Sequence, residues 1–167
     1  NFIRIKRSLS YDIDIVMMKY NTSFDEAGKP SFSYFRERWI KNSTQYRWIG
    51  AVHEVIPPNG QVIYSDIAIS HKKDGVKDPE RNIKIYRKII SEGKYLEPRQ
   101  QYYYGRELYY HKQYREAVDV LEQFMLSEEG WVENKIEACS ICAKCYFHMG
   151  QKESALLVLL RSMSFDL

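Results

Sequence analysis

The sequence predicts an α+β fold, in which a small β-rich segment over residues 1–76 precedes an array of α-helical hairpins over residues 77–167. Two observations lead to this expectation. In the first segment, short apolar runs rich in β-branched and aromatic residues alternate with turn sequences, as they do in strands. In the second segment, apolar residues recur at the period of an amphipathic helix. A chain of 167 residues is long enough for two small domains.

Three strands are predicted in the first segment. Residues 13–18 form an almost continuous apolar run, which is typical of a buried strand. Residues 32–40 are rich in aromatic side chains, and residues 61–70 are rich in β-branched ones. Turns are predicted over residues 26–30 and 57–60, because glycine and proline there favour tight changes of direction.

Five helices are predicted in the second segment. Asp78 followed by Pro79 is a start signal, since aspartate accepts hydrogen bonds from free amides and proline fits the first helical position. The first helix places Ile83, Tyr86 and Ile90 on one face and ends near Gly93. The other four helices are predicted over residues 98–111, 114–127, 131–149 and 152–163. Because the breaks between them are short, neighbouring helices should be antiparallel.

An internal repeat relates the last four helices. Gly105 and Ala117 are followed, 38 residues later, by Ala143 and Ala155. Small side chains at these positions let two antiparallel helices approach closely. The helix pairs resemble degenerate tetratricopeptide repeats, whose usual length is about 34 residues. That resemblance implies a concave groove lined by the first helix of each pair.

One helical face could supply such a groove. Arg99, Tyr102, Arg106 and Tyr109 lie at spacings of three and four, and therefore share a face of the second helix. We interpret them as groove residues for a peptide, protein or glycan. The alternative is that these aromatic side chains pack against the preceding domain.

Composition excludes several classes of function. A formal net charge of +3 does not call for nucleic acid, and no apolar run reaches the length of a membrane span. The three cysteines, at 139, 142 and 145, are an odd number, which favours a reducing, cytoplasmic compartment over a disulfide framework. They lie on a helical pattern and are interpreted as small core residues.

Two short apolar segments each end at a histidine. The first contains Trp48 and Gly50 and closes with His53 and Glu54, and the second closes with His71. The pattern resembles the acceptor side of a family 2 glycosyltransferase. In that family a Trp-Gly-Val-His-Glu run lies near the acceptor pocket, and a later histidine after a short strand ligates a divalent metal. The resemblance extends over residues 17–25, over residues 36–38 and into the helical tail.

The resemblance implies roles for particular residues. Glu54 is the expected base or acceptor contact, because a carboxylate beside an acceptor hydroxyl can remove its proton, and His53 is expected to position the acceptor. His71 is the expected ligand of a manganese or magnesium ion in a full-length parent, with no cofactor expected in this chain alone. Acceptor or phosphate contacts are expected from Arg36, Arg38, Trp48 and Lys72. The donor would be a nucleotide sugar, bound by the parent only.

Other interpretations remain open. The Asp12–Asp14 pair imitates the metal-binding Asp-x-Asp motif, but it begins an apolar run instead of ending one, so a structural role is expected. We expect the true motif to be encoded upstream of Asn1. A different function is a non-catalytic module for protein–protein interaction. A metal-dependent hydrolase is disfavoured, since only two histidines lie near a carboxylate.

Overall fold

The computed structural model describes residues 3, 6, 7, 9–71 and 78–165. The chain forms two compact units. The sheet unit comprises residues 1–50 and 54–76, and the helical unit comprises residues 51–53 and 77–167. Three strands in the first unit and five helices in the second, counted over the described residues, confirm the α+β class. The boundary predicted between residues 76 and 77 falls in the undescribed range 72–77.

The sheet unit is built on a three-stranded mixed sheet in the order β2-β1-β3. Strand β1 (Ile15–Phe24) is central; β2 (Pro30–Ile40) runs antiparallel to it and β3 (Val62–Ser70) runs parallel to it. The first four residues of β1 are all buried, as expected for the central strand of a sheet covered on both faces. Beyond them β1 continues through six polar or aromatic residues that the predicted strand did not include.

Asp14 fixes the start of the sheet. Its carboxylate accepts a hydrogen bond from the amide of Gln61 at 2.9 Å and lies 3.4 Å from the ammonium of Lys41. The Gln61 amide is the main reason that the pKa of Asp14 lies below its ordinary value. Gly60 has a φ of 73°, and a Cβ there would lie 2.3 Å from the Asp14 carboxylate oxygen. Both the backbone conformation and the space therefore require glycine, and the structural interpretation of Asp14 is confirmed.

A polar contact joins all three strands further along the sheet. Asn21 is buried; its side-chain oxygen accepts a hydrogen bond from the Ser33 hydroxyl at 2.6 Å, and its amide donates to the Ser70 hydroxyl at 3.4 Å. A buried amide that lost these partners would cost about 1–3 kcal/mol. The two bonds therefore favour one register of β1 against both neighbours.

The helical unit contains five α-helices in sequence order. The last four lie within one residue of their predicted bounds, and the first begins at Arg81, two residues after Pro79. Asp78 still serves the start of that helix, because its carboxylate accepts the amide hydrogen of Glu80 at 2.9 Å. The helices are α1 (Arg81–Ser91), α2 (Pro98–Tyr110), α3 (Tyr114–Leu126), α4 (Val132–His148) and α5 (Lys152–Ser162), and a 3₁₀ turn spans Met163–Phe165.

Helices α2 to α5 pack in order, each against the next along the chain. Helices α2 and α3 approach closely, since a Cβ on Gly105 would lie 2.4 Å from Cγ of Leu121. Ala117, Ala143 and Ala155 are also buried, so the predicted small positions all lie inside the helical unit. The three cysteines are buried and free, which confirms their interpretation as core residues.

The core of the helical unit includes a residue that precedes all of its helices in the sequence. Val52 is buried and belongs to the same apolar cluster as the helix side chains. Segment 51–53 is therefore part of this unit, although the prediction assigned all of residues 1–76 to the first domain. Within the described ranges, no helix combines the length and the apolar composition that a bilayer span requires.

Candidate functional site

The predicted His53–Glu54 pair lies in a short closed loop. Backbone hydrogen bonds in both directions between Ile49 and Val55 form an isolated antiparallel bridge that closes the loop. Gly50 and His53 both adopt positive φ, at 98° and 56°. A non-glycine residue in this conformation costs about 1–3 kcal/mol, and such residues cluster at functional sites. The loop therefore holds His53 in a conformation that its own preferences oppose.

His53 is held by a ring contact within the helical unit. Its imidazole stacks on the phenol ring of Tyr103, with ring centroids 4.1 Å apart and planes inclined by 22°. The guanidinium carbons of Arg99 and Arg106 lie 5.2 and 5.6 Å from the centroid of the same Tyr103 ring. The Tyr103 ring thus stacks with one imidazole and lies close to two guanidinium groups. Tyr103 was not among the predicted site residues.

Glu54 is exposed, and its backbone is anchored in the sheet unit. The Arg36 guanidinium donates to the backbone carbonyl of Glu54 at 3.1 Å and to the buried carboxylate of Glu37 at 2.9 Å. Burial lowers the pKa of Arg36, but the hydrogen bond and charge of Glu37 outweigh it, so the pKa is raised overall. Both hydrogen bonds are donated by one terminal nitrogen of Arg36, and they hold the backbone of Glu54 in place. The expected contact of Arg36 with an acceptor or phosphate stays a prediction.

The Glu54 carboxylate makes no hydrogen bond or ion pair in the described part of the chain. Glu54 therefore offers an exposed carboxylate on an anchored backbone.

A second group of side chains gathers around the ring of Tyr20 in β1. His71 follows β3, and its amide donates to the carbonyl of Asn21 in β1 at 2.9 Å. Its imidazole lies 5.6 Å from the ring of Tyr20, and the Arg38 guanidinium lies 4.1 Å over that same ring. Tyr34 meets Tyr20 edge to face at 5.8 Å. We call Tyr20, Tyr34, Arg38 and His71 the edge cluster.

The edge cluster combines charge with ring faces. Arg38 has a buried Nε with no hydrogen-bond partner among the described residues. A guanidinium and an imidazole on an aromatic ring suit an anionic ligand that also has a flat or apolar face.

A complete metal site is not formed by these residues. Within residues 9–71 and 78–165, no three His, Cys, Asp or Glu side chains come together in a way that could hold a metal ion. His71 would supply one imidazole nitrogen to the divalent cation implied by the family resemblance. The other ligands would have to come from elsewhere, so the described side chains do not fit the ion by themselves.

Two further residues, Trp48 and Lys72, were expected to contact an acceptor or a phosphate. The Trp48 side chain is 59% exposed and is available to a ligand. Lys72, the expected phosphate contact, lies outside the described residues. Neither outcome tests the role that the resemblance implies.

The predicted groove face of α2 is largely committed to internal contacts. Tyr102 is buried, and its hydroxyl donates to the Glu137 carboxylate at 2.6 Å. Arg106 donates to the hydroxyls of Tyr102 and Tyr110, at 3.4 and 3.3 Å. Tyr109 packs against the core cluster. Tyr102 is therefore a core residue. Among the four predicted groove residues, Tyr102 cannot stack with a partner because its side chain is buried.

Sequence reasoning missed Tyr20 and Tyr103. Tyr103 lies in the run of three tyrosines at 102–104, from which only Tyr102 was chosen, and the contacts of Tyr20 and Tyr103 come from residues far away in sequence. Tyr20 meets Tyr34 because of the antiparallel register of β1 and β2. No local signal distinguishes them, apart from the high tyrosine content.

No model of a known protein family matches the sequence, and no curated protein matches it at a significant level.

Proposed function

We propose that this chain forms the acceptor-side part of a family 2 glycosyltransferase that transfers a sugar from a nucleotide-diphosphate donor to a peptide, protein or glycan. The proposal rests on the resemblance of Trp48, Gly50, Val52, His53, Glu54 and His71 to that family. The observation that carries it furthest is the edge cluster, where the His71 imidazole and the Arg38 guanidinium both lie close to the ring of Tyr20.

The chemistry of the edge cluster suits a sugar nucleotide. Such a donor presents two phosphates beside a sugar ring. Guanidinium groups form strong hydrogen bonds with phosphate oxygens, and aromatic rings pack against the apolar faces of ring ligands. Arg38 and the rings of Tyr20 and Tyr34 supply these groups within one cluster.

Glu54 is proposed as the base. Its carboxylate would accept the proton of an acceptor hydroxyl while the hydroxyl oxygen forms a bond to the anomeric carbon of the sugar. The bond from that carbon to the nucleotide diphosphate breaks, and the diphosphate leaves with the electron pair. The Arg36 contact to the Glu54 carbonyl fixes the backbone from which this carboxylate extends.

The divalent cation stays outside this mechanism. When bound, such an ion would neutralise the charge of the diphosphate. His71 supplies one ligand, and the resemblance implies acidic ligands that the described residues do not provide. The described residues do not complete a site for the ion.

A docking role without catalysis is the second candidate. Four leucines of α5 are largely exposed, which is typical of a surface that binds another protein. In a purely docking protein, however, the Glu54 loop and the edge cluster would have no role, so substitutions there would leave binding unchanged.

Two experiments test the transferase proposal. The coding sequence upstream of Asn1 should encode a nucleotide-binding strand–helix pattern that ends in Asp-x-Asp, and its absence would overturn the proposal. Calorimetric titration of the intact polypeptide with UDP, GDP and TDP sugars and manganese should then find one donor that binds. Arg38→Ala and His71→Ala should weaken that binding, whereas His148→Ala, an exposed histidine of α4, should not. Unchanged binding in both edge variants would contradict the assignment.

A further inference from the structure

One face of α2 carries two arginines and two tyrosines in a row. Arg99, Tyr103, Arg106 and Tyr110 lie at spacings of four, three and four, and therefore share one side of the helix. The predicted groove face included the buried Tyr102 in place of Tyr103. The first three residues are half-buried, and Tyr110 is 61% exposed. We call these four residues the α2 stripe.

Both guanidinium groups of the α2 stripe lie near one phenol ring. The guanidinium carbons of Arg99 and Arg106 are 5.2 and 5.6 Å from the centroid of the Tyr103 ring. The guanidinium carbon of Arg106 is also 5.9 Å from the centroid of the Tyr110 ring. Contacts with rings hold a guanidinium group in place but do not neutralise its charge. The α2 stripe is therefore a positively charged surface with aromatic faces.

The hydrogen-bond donors of the two arginines are mostly unused. Arg106 donates only to the hydroxyls of Tyr102 and Tyr110, at 3.4 and 3.3 Å, and both bonds are long. Arg99 donates no hydrogen bond, and neither arginine forms an ion pair within the described residues. The Glu137 carboxylate already accepts the Tyr102 hydroxyl at 2.6 Å. Because a guanidinium group has five N–H donors, both arginines can bind a further acceptor.

The charges favour a short acidic ligand. Guanidinium groups form strong, bidentate hydrogen bonds with carboxylates, and two guanidinium groups near one ring can bind neighbouring acidic residues of a peptide. The rings of Tyr103 and Tyr110 offer flat surfaces to the apolar side chains of the same peptide. A nucleic acid calls for a longer row of cations. Helix α2 contains no cationic residue besides Arg99 and Arg106, and it also contains Glu107.

We propose that the α2 stripe is a docking site for an acidic peptide segment of another protein. Arg99 and Arg106 donate hydrogen bonds to aspartate or glutamate carboxylates of that segment, and an apolar side chain between the carboxylates packs on Tyr103 or Tyr110. The site belongs to the helical unit alone. It does not depend on a transferase activity, and it differs from the edge cluster in the ligand that it binds.

The probe is a fluorescein-labelled peptide of three Glu-Glu-Leu repeats with a glycine at each end. It is titrated with the full 167-residue chain, and binding is measured by fluorescence anisotropy. We expect saturable binding that weakens as the salt concentration rises, since exposed charges are screened by salt. A peptide with glutamine in place of every glutamate should bind about tenfold more weakly or worse, because its side chains carry no charge.

Variants of the chain provide the second arm. Arg99→Gln is the main test because Arg99 makes no internal hydrogen bond, and it should weaken binding of the acidic peptide about tenfold. Arg99→Lys keeps the charge and should lose less. Arg106→Gln should also weaken binding. Arg115→Gln on α3, where the side chain is 73% exposed, is the matched control and should bind as the parent does. Circular dichroism confirms that each variant is folded.

Four results would overturn the proposal. The first is no binding at chain concentrations up to about 1 mM, which would detect even weak affinity. The second is a glutamine peptide that binds as tightly as the glutamate peptide. The third is binding that survives Arg99→Gln combined with Arg106→Gln while the helical spectrum is intact. The fourth is a single-stranded oligothymidylate of equal charge that binds more tightly than the peptide, which would identify a nucleic acid as the occupant.

Discussion

At the scale of single residues, two buried tyrosines differ in how their hydroxyls are satisfied. The Tyr102 hydroxyl donates to the Glu137 carboxylate at 2.6 Å, whereas the buried Tyr86 hydroxyl has no partner among the described residues. A hydrogen bond to a charged group contributes about 1.5–3 kcal/mol, while a buried hydroxyl without a partner is destabilising. The two residues therefore form a matched pair for substitution.

We predict opposite effects of Tyr102→Phe and Tyr86→Phe on stability. Tyr102→Phe should lower the free energy of unfolding by about 1–3 kcal/mol, because it removes the bond and leaves the Glu137 carboxylate without this donor. Tyr86→Phe should leave stability unchanged or raise it slightly. Urea denaturation followed by circular dichroism measures both. A larger loss for Tyr86→Phe than for Tyr102→Phe would show that the hydroxyl contacts are wrongly assigned.

The same tyrosines give the chain a pH dependence. Burial is the main cause that raises the pKa of Tyr86 and of Tyr102, and for Tyr102 the Glu137 hydrogen bond adds to it. Tyrosine in an unfolded chain has a pKa of about 10. Above that pH the folded state binds more protons than the unfolded state, so stability is fully present below about pH 10 and falls as pH rises further.

Urea midpoints measured from pH 8 to beyond pH 10 should therefore fall at the alkaline end. The fall should be shallower in Tyr86→Phe, which removes one of the titrating groups. Tyr11→Phe is the control, because Tyr11 is almost fully exposed. A curve as steep in Tyr86→Phe as in the parent would mean that this residue does not cause the dependence.

At the scale of elements, the helices were predictable and the sheet order was not. A helix is specified by residues three and four apart, so local signals such as Pro98 at the start of α2 suffice. The Gln100 side chain also accepts the Glu97 amide hydrogen at 3.1 Å, which completes a capping box that the sequence contains. The parallel pairing of β1 with β3 depends on residues almost 50 positions apart, and no local pattern specifies it.

In the candidate site, too, local motifs predicted some residues, whereas the roles of others depend on contacts between distant parts of the sequence. His53, Glu54 and His71 were predicted from short motifs, and the structure places them in a closed loop and at a strand end. Tyr20 and Tyr103 acquire their roles from the strand register and from the packing of segment 51–53 into the helical unit. A single sequence carries no readable signal for such non-local contacts.

The close approach of α2 and α3 gives a prediction for Gly105. Alanine has the higher helix propensity by about 1 kcal/mol. Its methyl would nevertheless meet the Leu121 side chain at 2.4 Å, and overpacking typically costs about 1–3 kcal/mol. We expect Gly105→Ala to lower the melting temperature. The loss should be smaller when the change is made in a Leu121→Ala background, where space is available. Equal losses in both backgrounds would exclude the steric cause.

At the scale of the whole molecule, the helical unit has its own core, and Val52 from segment 51–53 is part of that core. Residues 78–167 expressed alone should therefore give a helical spectrum and a cooperative melt. They should be less stable than the same helices in the full chain by about 1.5–3 kcal/mol, the free energy of burying a valine.

The control for this prediction is Val52→Ala in the full chain. It should account for a large part of the same loss, because it removes most of the same side chain. Glu128→Ala, at an exposed position, should have no effect. A non-cooperative melt of the isolated helices, or a Val52→Ala variant as stable as the parent, would contradict the composition of the helical unit.

The central claim is that the Glu54 carboxylate acts as the base in sugar transfer, and the turnover number of Glu54→Gln tests it most directly. In the intact polypeptide, with the donor found by calorimetry, kcat should fall by about 10²–10⁴-fold, while donor affinity stays close to that of the parent. Glu26→Gln, an exposed carboxylate in the turn before β2, is the matched control and should retain full turnover. A kcat for Glu54→Gln within a few-fold of the control would contradict the account.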